Sequence, residues 1–274
     1  MNPTLQLCFA EINRIAGFPL TAAQRGSFLR YHAYITGEPR PAYISRLRGS
    51  GSRWQAHSDG ILGNTQNALA SVYYHLANIE RIESGVEAVI ESSCVRDRPG
   101  KLLAAGGNPI ALDSEYQAFI LAVRRCLEYL ARSLTAYFMS ESHSFTRFGK
   151  FLKTAKPAAI AAALSQTYAR HVVHFAFVLS ESARRSTRDQ ISHYEFVPAG
   201  VINITTHGVV LAGGGENLLP SKSARPLPLR DVLQQHASNL QKCIDDFLDT
   251  FVTASRTYEA KLSHAHLRGS PASS

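Results

Sequence analysis

The sequence predicts an all-α protein, an antiparallel helical bundle with a small β-hairpin insert near 201–211. Two observations predict it. Several long stretches repeat apolar residues every three or four positions, which is the spacing of one buried helix face. A single stretch instead carries β-branched runs: Val201-Ile202-Asn203-Ile204 and Val209-Val210-Leu211 flank Thr205-Thr206-His207-Gly208, which reads as a hairpin around a glycine-containing turn.

In chain order, Leu5, Phe9, Ile12 and Ile15 mark a first helix that Gly17 and Pro19 stop. Thr21-Ala22-Ala23-Gln24 fits a capping box, so a second helix should run to about 36 and pack on the first as a hairpin. Residues 37–63 read as loop, being rich in glycine and proline. A long helix is predicted over about 64–92, with Leu69, Val72, Leu76 and Ile79 in its stripe and Glu83 interrupting it as a partly exposed acid. The strongest seam, Tyr116, Phe119, Ile120, Val123, Leu127, Leu130, Leu134 and Tyr137, predicts a helix from 113 to about 139 suited to bundle packing. Arg124, Arg125, Glu128 and Arg132 occupy its other faces. A basic connector follows, whose Arg147, Lys150, Lys153 and Lys156 would spread around a helix as a solvated surface. Pro157 suits a helix start, and the run it opens continues to about 182. A last helix spans about 229–263, ahead of a disordered tail at 264–274. The chain divides into an N-terminal helical extension, 1–112, and a bundle, 113–263.

Composition narrows the function classes. Of 274 residues, 45% are hydrophobic, which argues against disorder. A net charge of +8 and a pI near 9.5 favour acidic partners such as nucleic acid. The four cysteines, Cys8, Cys94, Cys126 and Cys243, have no zinc-ligand spacing and read as buried free thiols. No secretory signal and no apolar run of membrane-spanning length is recognisable, so a cytoplasmic protein without a membrane partner is expected. Gly213-Gly214-Gly215 lacks the lysine and hydroxyl residue of a phosphate loop. His171 and His174 are three apart, but two ligands do not make a metal site, and hydrogen-bonded helix histidines are the expectation.

Two regions carry candidate chemistry. Over 25–54, Arg46, Arg48 and Arg53 stand among aromatics including Trp54, a composition that can bind phosphates while rings stack on bases; the alternative is a solvated loop whose aromatics dock on the core. The second region is Thr187-Arg188-Asp189-Gln190-Ile191-Ser192-His193, preceded by Arg184 and Arg185. A guanidinium holds phosphate oxygens in two parallel hydrogen bonds, and an imidazole moves protons near neutral pH. Thr187 and Gln190 fit a capping box, so a fresh short helix should begin there. Residues five apart on a helix lie about 140° apart around its axis, so Arg188 and His193 converge only if the arginine reaches along the first turn or if another surface completes the site.

Arg188-Asp189-Gln190-Ile191-Ser192-His193 resembles the Arg-x4–6-His motif of the HEPN superfamily (higher eukaryotes and prokaryotes nucleotide-binding domains), in which a polar residue often follows the arginine. The resemblance covers about 113–263. It implies an endoribonuclease, metal-independent and without cofactor, that leaves 2′,3′-cyclic phosphate ends and serves as a toxin or defence factor. It also implies a homodimer with two motifs facing across a cleft, and an antitoxin or regulatory partner. By this resemblance His193 acts as general acid or base, Arg188 stabilises charge at phosphorus, and Asp189 orients one of them. One toxin branch carries a tyrosine two residues after the histidine. Here Tyr194 stands at the first position and Glu195 at the second, which departs from that pattern. Many members of the superfamily only bind RNA, nucleotides or proteins, so a non-catalytic RNA-binding or interaction module is the alternative. An all-helical regulatory protein with no nucleic acid partner is the third.

Overall fold

The computed structural model describes residues 3–37, 42–92, 109–140, 144–179, 186–193, 196–197, 199, 201–202, 209–210 and 229–268. Its centre is helix α6 (Ile110–Tyr137), whose buried positions cover more than half of its circumference. All eight residues of its predicted seam are fully buried. A helix apolar over so much of its circumference must be surrounded by other elements. Here α4 (Ser52–Asp59), α5 (Gln66–Ser92), α7 (Phe145–Leu152), α9 (Ala176–Leu179), α10 (Thr187–His193) and α11 (Leu229–Arg268) all pack on it. The fold is all-α, and side chains from both sides of position 112, such as Phe28, Leu69, Leu127 and Phe247, share one core.

Helix α2 (Ala22–Thr36) starts as the sequence predicts. Thr21 Oγ1 accepts from the Gln24 amide at 3.3 Å, and the Gln24 side chain accepts from the Thr21 amide at 2.8 Å. Its Phe28, Tyr31, Tyr34 and Ile35 are buried, and the helix packs on α11. Helix α1 (Pro3–Ala16) does not form the expected packed hairpin: its described side chains are all exposed, Leu7 by 72% and Ile15 by 71%. The apolar face of α2 is already committed to α11, which leaves α1 without a surface to cover. Cys8 is exposed with it, while Cys126 and Cys243 are buried as expected; Cys94 lies outside the described residues.

Residues 37–63, expected to be loop, are instead mostly helical. Helices α3 (Ala42–Gly49) and α4 are followed by a π-helical turn, Gly60–Thr65. The glycines punctuate helices here and do not dissolve them. Gly51 takes a positive φ of 50° at the break between α3 and α4. A Cβ on Gly60 would collide with the Ser133 side chain, so glycine is what lets this turn lie against α6. The contact also buries His57, whose Nδ1–H donates to the Ser133 carbonyl at 2.8 Å among the rings of Tyr31, Tyr137 and Phe251. Burial pulls its pKa down to about 4, only partly opposed by that hydrogen bond, so it is a neutral core residue.

The predicted connector after α6 folds as α7. Phe145, Phe148 and Leu152 face the core, while Arg147 and Lys150 point outward. The run expected over 157–182 is broken. Helix α8 (Ala158–His171) begins after Pro157, then tightens into a 3-10 turn at Val172–Phe175 before α9. The tighter winding changes the buried face so that Phe175, Phe177 and Val178 all point inward. His171 is a hydrogen-bonded helix histidine, its Nε2 lying 2.8 Å from Asp246 of α11. Strands β1 (Val201–Ile202) and β2 (Val209–Val210) pair antiparallel, with Val201 opposite Val210. The turn at 203–208 that would join them lies outside the described residues. Helix α11 runs through Arg268, into the stretch expected to be disordered, because nothing breaks the helix before Gly269. The rest of that tail, 269–274, lies outside the described residues.

Glu83, expected to be partly exposed, is 2% exposed. It faces the start of α11, and its Oε1 has no hydrogen-bond partner. Burial raises its pKa to about 7, against the opposing pull of the Arg230 charge and backbone amide. A raised folded pKa favours the protonated native state. Its stabilising contribution is therefore complete below the unfolded value of 4.5 and is lost as pH rises toward 7. Glu83→Gln should accordingly raise unfolding stability at pH 8 by about 1–3 kcal/mol and leave it unchanged at pH 4. Urea denaturation at the two pH values checks this.

Candidate nucleic-acid interface

Helix α10 begins differently from the sequence expectation. The cap is Ser186, one residue earlier than Thr187. The Asp189 amide donates to Ser186 Oγ at 3.2 Å, and Ser186 Oγ–H donates to Asp189 Oδ2 at 2.8 Å. Thr187 is fully buried, with no partner for Oγ1, so its hydroxyl cannot cap the helix. The other carboxylate oxygen of Asp189 accepts from Arg188 Nη1 at 2.6 Å. Partial burial alone would raise the Asp189 pKa, but the Arg188 and Ser186 hydrogen bonds and the charges of Arg188 and Arg124 outweigh it and hold it below the usual value. Asp189 therefore stays ionised at neutral pH and orients the Arg188 guanidinium.

The chain leaving α10 is anchored to the start of α6. Asp113 Oδ1 accepts from the Ala199 amide at 2.7 Å, and the Gln117 amide donates to the Val197 carbonyl at 3.1 Å. These bonds, with α10 packed directly on α6, set Arg188 against the middle of α6.

There Arg188 forms one wall of a cleft with Leu121, Arg124, Arg125, Glu128, Tyr129 and Arg132 of α6, closed by Ser144. Positions 121, 125, 128 and 132 recur at three- and four-residue steps, so they share one helix face. Four arginines thus meet one acid in this cleft, and that acid is already neutralised. Glu128 lies 2.7 Å from Arg124 Nη2, and its other oxygen accepts the Phe145 amide at 3.2 Å. Arg124 also donates to Thr146 Oγ1 and the Val178 carbonyl, which fixes its guanidinium as a wall. Arg125 and Arg132 are exposed and have no carboxylate partner among the described residues. Two guanidiniums unpaired among the described residues stand beside two fixed ones, an arrangement whose chemistry suits phosphate oxygens.

The other predicted site residues divide. The backbone of His193 ends α10, but its side chain lies outside the described residues, as do that of Arg46 and all of Arg184 and Arg185. Arg48 stacks on Trp54, 4.6 Å from the ring centre, and donates to the Ile35 carbonyl at 3.0 Å. This pair holds α2, α3 and α4 together, and the nearby Tyr31 and Tyr34 are core residues, so the aromatics of 25–54 mostly serve packing. Arg53 donates to the Ser140 carbonyl at 2.8 Å, yet it also lines a neighbouring cleft beside Arg132. Sequence reasoning missed the α6 arginines as site residues. Their signal was present in Arg125, Glu128, Tyr129 and Arg132, a polar stripe opposite the apolar seam.

Among the described residues, no three His, Cys, Asp or Glu side chains gather as a metal site, and no helix is long and apolar enough to cross a membrane. Comparison of the chain with family models, with curated proteins and with solved structures gives no match.

Proposed function

We propose that the chain is an RNA-binding endoribonuclease of HEPN type, which holds the RNA backbone in the α6–α10 cleft and cleaves it at the α10 end. The observation that carries this reading is the placement of Arg188, the arginine of the Arg-x4-His motif, in one cleft with Arg124, Arg125 and Arg132. In the proposed step the ribose 2′-oxygen bonds to phosphorus and the bond to the 5′-oxygen breaks, which leaves a 2′,3′-cyclic phosphate. The 2′-hydroxyl proton passes to a base, and the 5′-oxygen takes a proton from an acid. His193 supplies one of these roles, Arg188 offsets the charge developing at phosphorus, and Asp189 holds Arg188 in place. A homodimer with facing motifs supplies the second imidazole, His193 of the partner subunit. An antitoxin or other regulatory protein would restrain such an activity.

The test is cleavage of single-stranded RNA in EDTA. Wild type is expected to yield 2′,3′-cyclic phosphate ends and to leave a 2′-deoxy substrate intact, since that substrate lacks the nucleophile. Cleavage by Arg188→Ala at the wild-type rate would overturn the assignment.

A second reading has its own observation. Arg188 is half neutralised by Asp189, whereas Arg125 and Arg132 make no ion pair among the described residues. That distribution suits a module that binds RNA along α6 without cutting it, and the same assay separates the two: RNA bound, with no product.

A further inference from the structure

The arginine cleft does not end at Arg132. Tyr129 and Arg132 are also walls of a second cleft, whose far side carries Ser52, Arg53 and Asn64. That second cleft reaches Ser140, which it shares with a third, between the C-terminal end of α6 and α7. The three form a run along one side of the molecule. From Leu121 to Ala136 the α6 portion alone spans about 22 Å at 1.5 Å per residue.

The third cleft differs in chemistry from the first. Its volume is about 710 Å³. Its floor is apolar, made by Phe138, Met139, Phe151 and Ala155, and its rim carries Arg147, Lys150 and Lys156. Arg147, Lys150 and Lys156 are exposed, as a solvated surface requires, but they gather on one rim and are not spread apart. Arg147 and Lys150 lie 60° apart on α7, and the chain turns back after Leu152, which returns Lys156 to the same rim. None of the three has an acidic partner among the described residues.

Backbone strain marks the same place. Met139 follows the end of α6 with φ of 58°, the left-handed position where glycine is the usual residue. A side chain there costs about 1–2 kcal/mol. What it contributes is a polarizable, adaptable surface on the cleft floor, 38% exposed.

We infer that one RNA strand runs along this groove and seats an unpaired base in the third cleft. Arg147, Lys150 and Lys156 hold the phosphates on either side of that base. Tyr129, half-exposed where the first two clefts meet, offers a stacking face midway. An apolar floor below a cationic rim fits a base with its phosphates above it. A base pair in a duplex keeps its flat faces stacked and cannot enter. At about 3.4 Å per stacked nucleotide, the α6 portion takes about six nucleotides before the third cleft is reached. The inference rests on the RNA-binding reading above.

The experiment is fluorescence anisotropy at 0.15 M salt with 4- and 12-nucleotide single-stranded RNAs and a 12-base-pair RNA duplex, all 2′-O-methylated so that they lack the nucleophile for cleavage. The proteins are wild type, Lys150→Glu/Lys156→Glu, and Met139→Gly. The longer strand should bind wild type at least tenfold tighter than the shorter one and tighter than the duplex. Lys150→Glu/Lys156→Glu should lose that length advantage and keep the affinity for the 4-nucleotide strand. Met139→Gly should weaken the 12-nucleotide strand several-fold while raising the melting temperature, because the strain is relieved, so a loss of binding there cannot be a loss of fold. Wild-type affinity of Lys150→Glu/Lys156→Glu for the longer strand would overturn the inference and leave RNA binding at Arg125 and Arg132 standing. No binding of any RNA by wild type would overturn both.

Discussion

Replacing His193 by alanine is expected to slow RNA cleavage by about 10²- to 10⁴-fold, the usual cost of removing a general acid or base, while RNA affinity stays close to wild type. The two effects separate because binding and chemistry draw on different groups. In the proposed function affinity comes from Arg124, Arg125, Arg132 and Arg188, which line the cleft independently of any imidazole. Arg188→Ala should behave differently, reducing both. It removes a phosphate ligand and also the cation nearest the motif, and it leaves Asp189 as an unneutralised carboxylate facing the substrate. Asp189→Asn should keep most of the affinity but release Arg188 from its 2.6 Å contact, lowering the rate with little change in substrate binding. Single-turnover cleavage, with binding measured on a 2′-deoxy analogue, resolves the three variants.

Reversing charge at Arg125 and Arg132 together is expected to weaken RNA binding by roughly 100-fold, since each loses a charge-assisted contact worth about 1.5 kcal/mol or more. The salt dependence should fall in step. For a single strand each phosphate contact contributes about 0.7 to the slope of log K against log salt, so the double variant should show a slope smaller by about 1.4. Both side chains are exposed and make no ion pair among the described residues, so the fold should tolerate the change. Arg124 is a poor choice for the same purpose. It holds Glu128, Thr146 and the Val178 carbonyl, and its loss would disturb the packing of α6 with α7 and α9 as well as the cleft.

The helices were legible wherever an apolar stripe was long and uninterrupted. The α6 seam from Tyr116 to Tyr137 and the α11 seam through Leu240, Ile244, Phe247 and Phe251 are all buried. The helices within 37–63 were misread as loop because glycine signals two things. Gly51 does break the chain, but Gly60 is there for close approach to Ser133, and only the packed structure tells them apart. The cations at 147–156 are exposed as expected, but their grouping was not legible. They converge through a chain reversal after Leu152 that no periodicity encodes. Glu83 looked like an ordinary interruption of a stripe because the start of α11, which it faces, lies far away in sequence.

The motif itself was readable as a local pattern, but its setting was not. Arg188 gains its meaning from three arginines on a helix more than fifty residues earlier, and that neighbourhood depends on the Asp113 and Gln117 anchors of the segment after α10. In the arginine-aromatic stretch composition left two readings open, a binding surface or aromatics docked on the core, and at Arg48 and Trp54 the side chains stack on each other and fasten helices together.

The most direct test of the central claim, that the α6–α10 cleft is where RNA is held, is the affinity of a 2′-O-methylated 12-nucleotide single-stranded RNA, which cannot be cleaved, for wild type and for Arg125→Glu/Arg132→Glu, titrated across salt. The cleft predicts tight, salt-sensitive binding by wild type, and a variant with both weaker affinity and a shallower slope. Equal affinity and equal slope in the two proteins would contradict it.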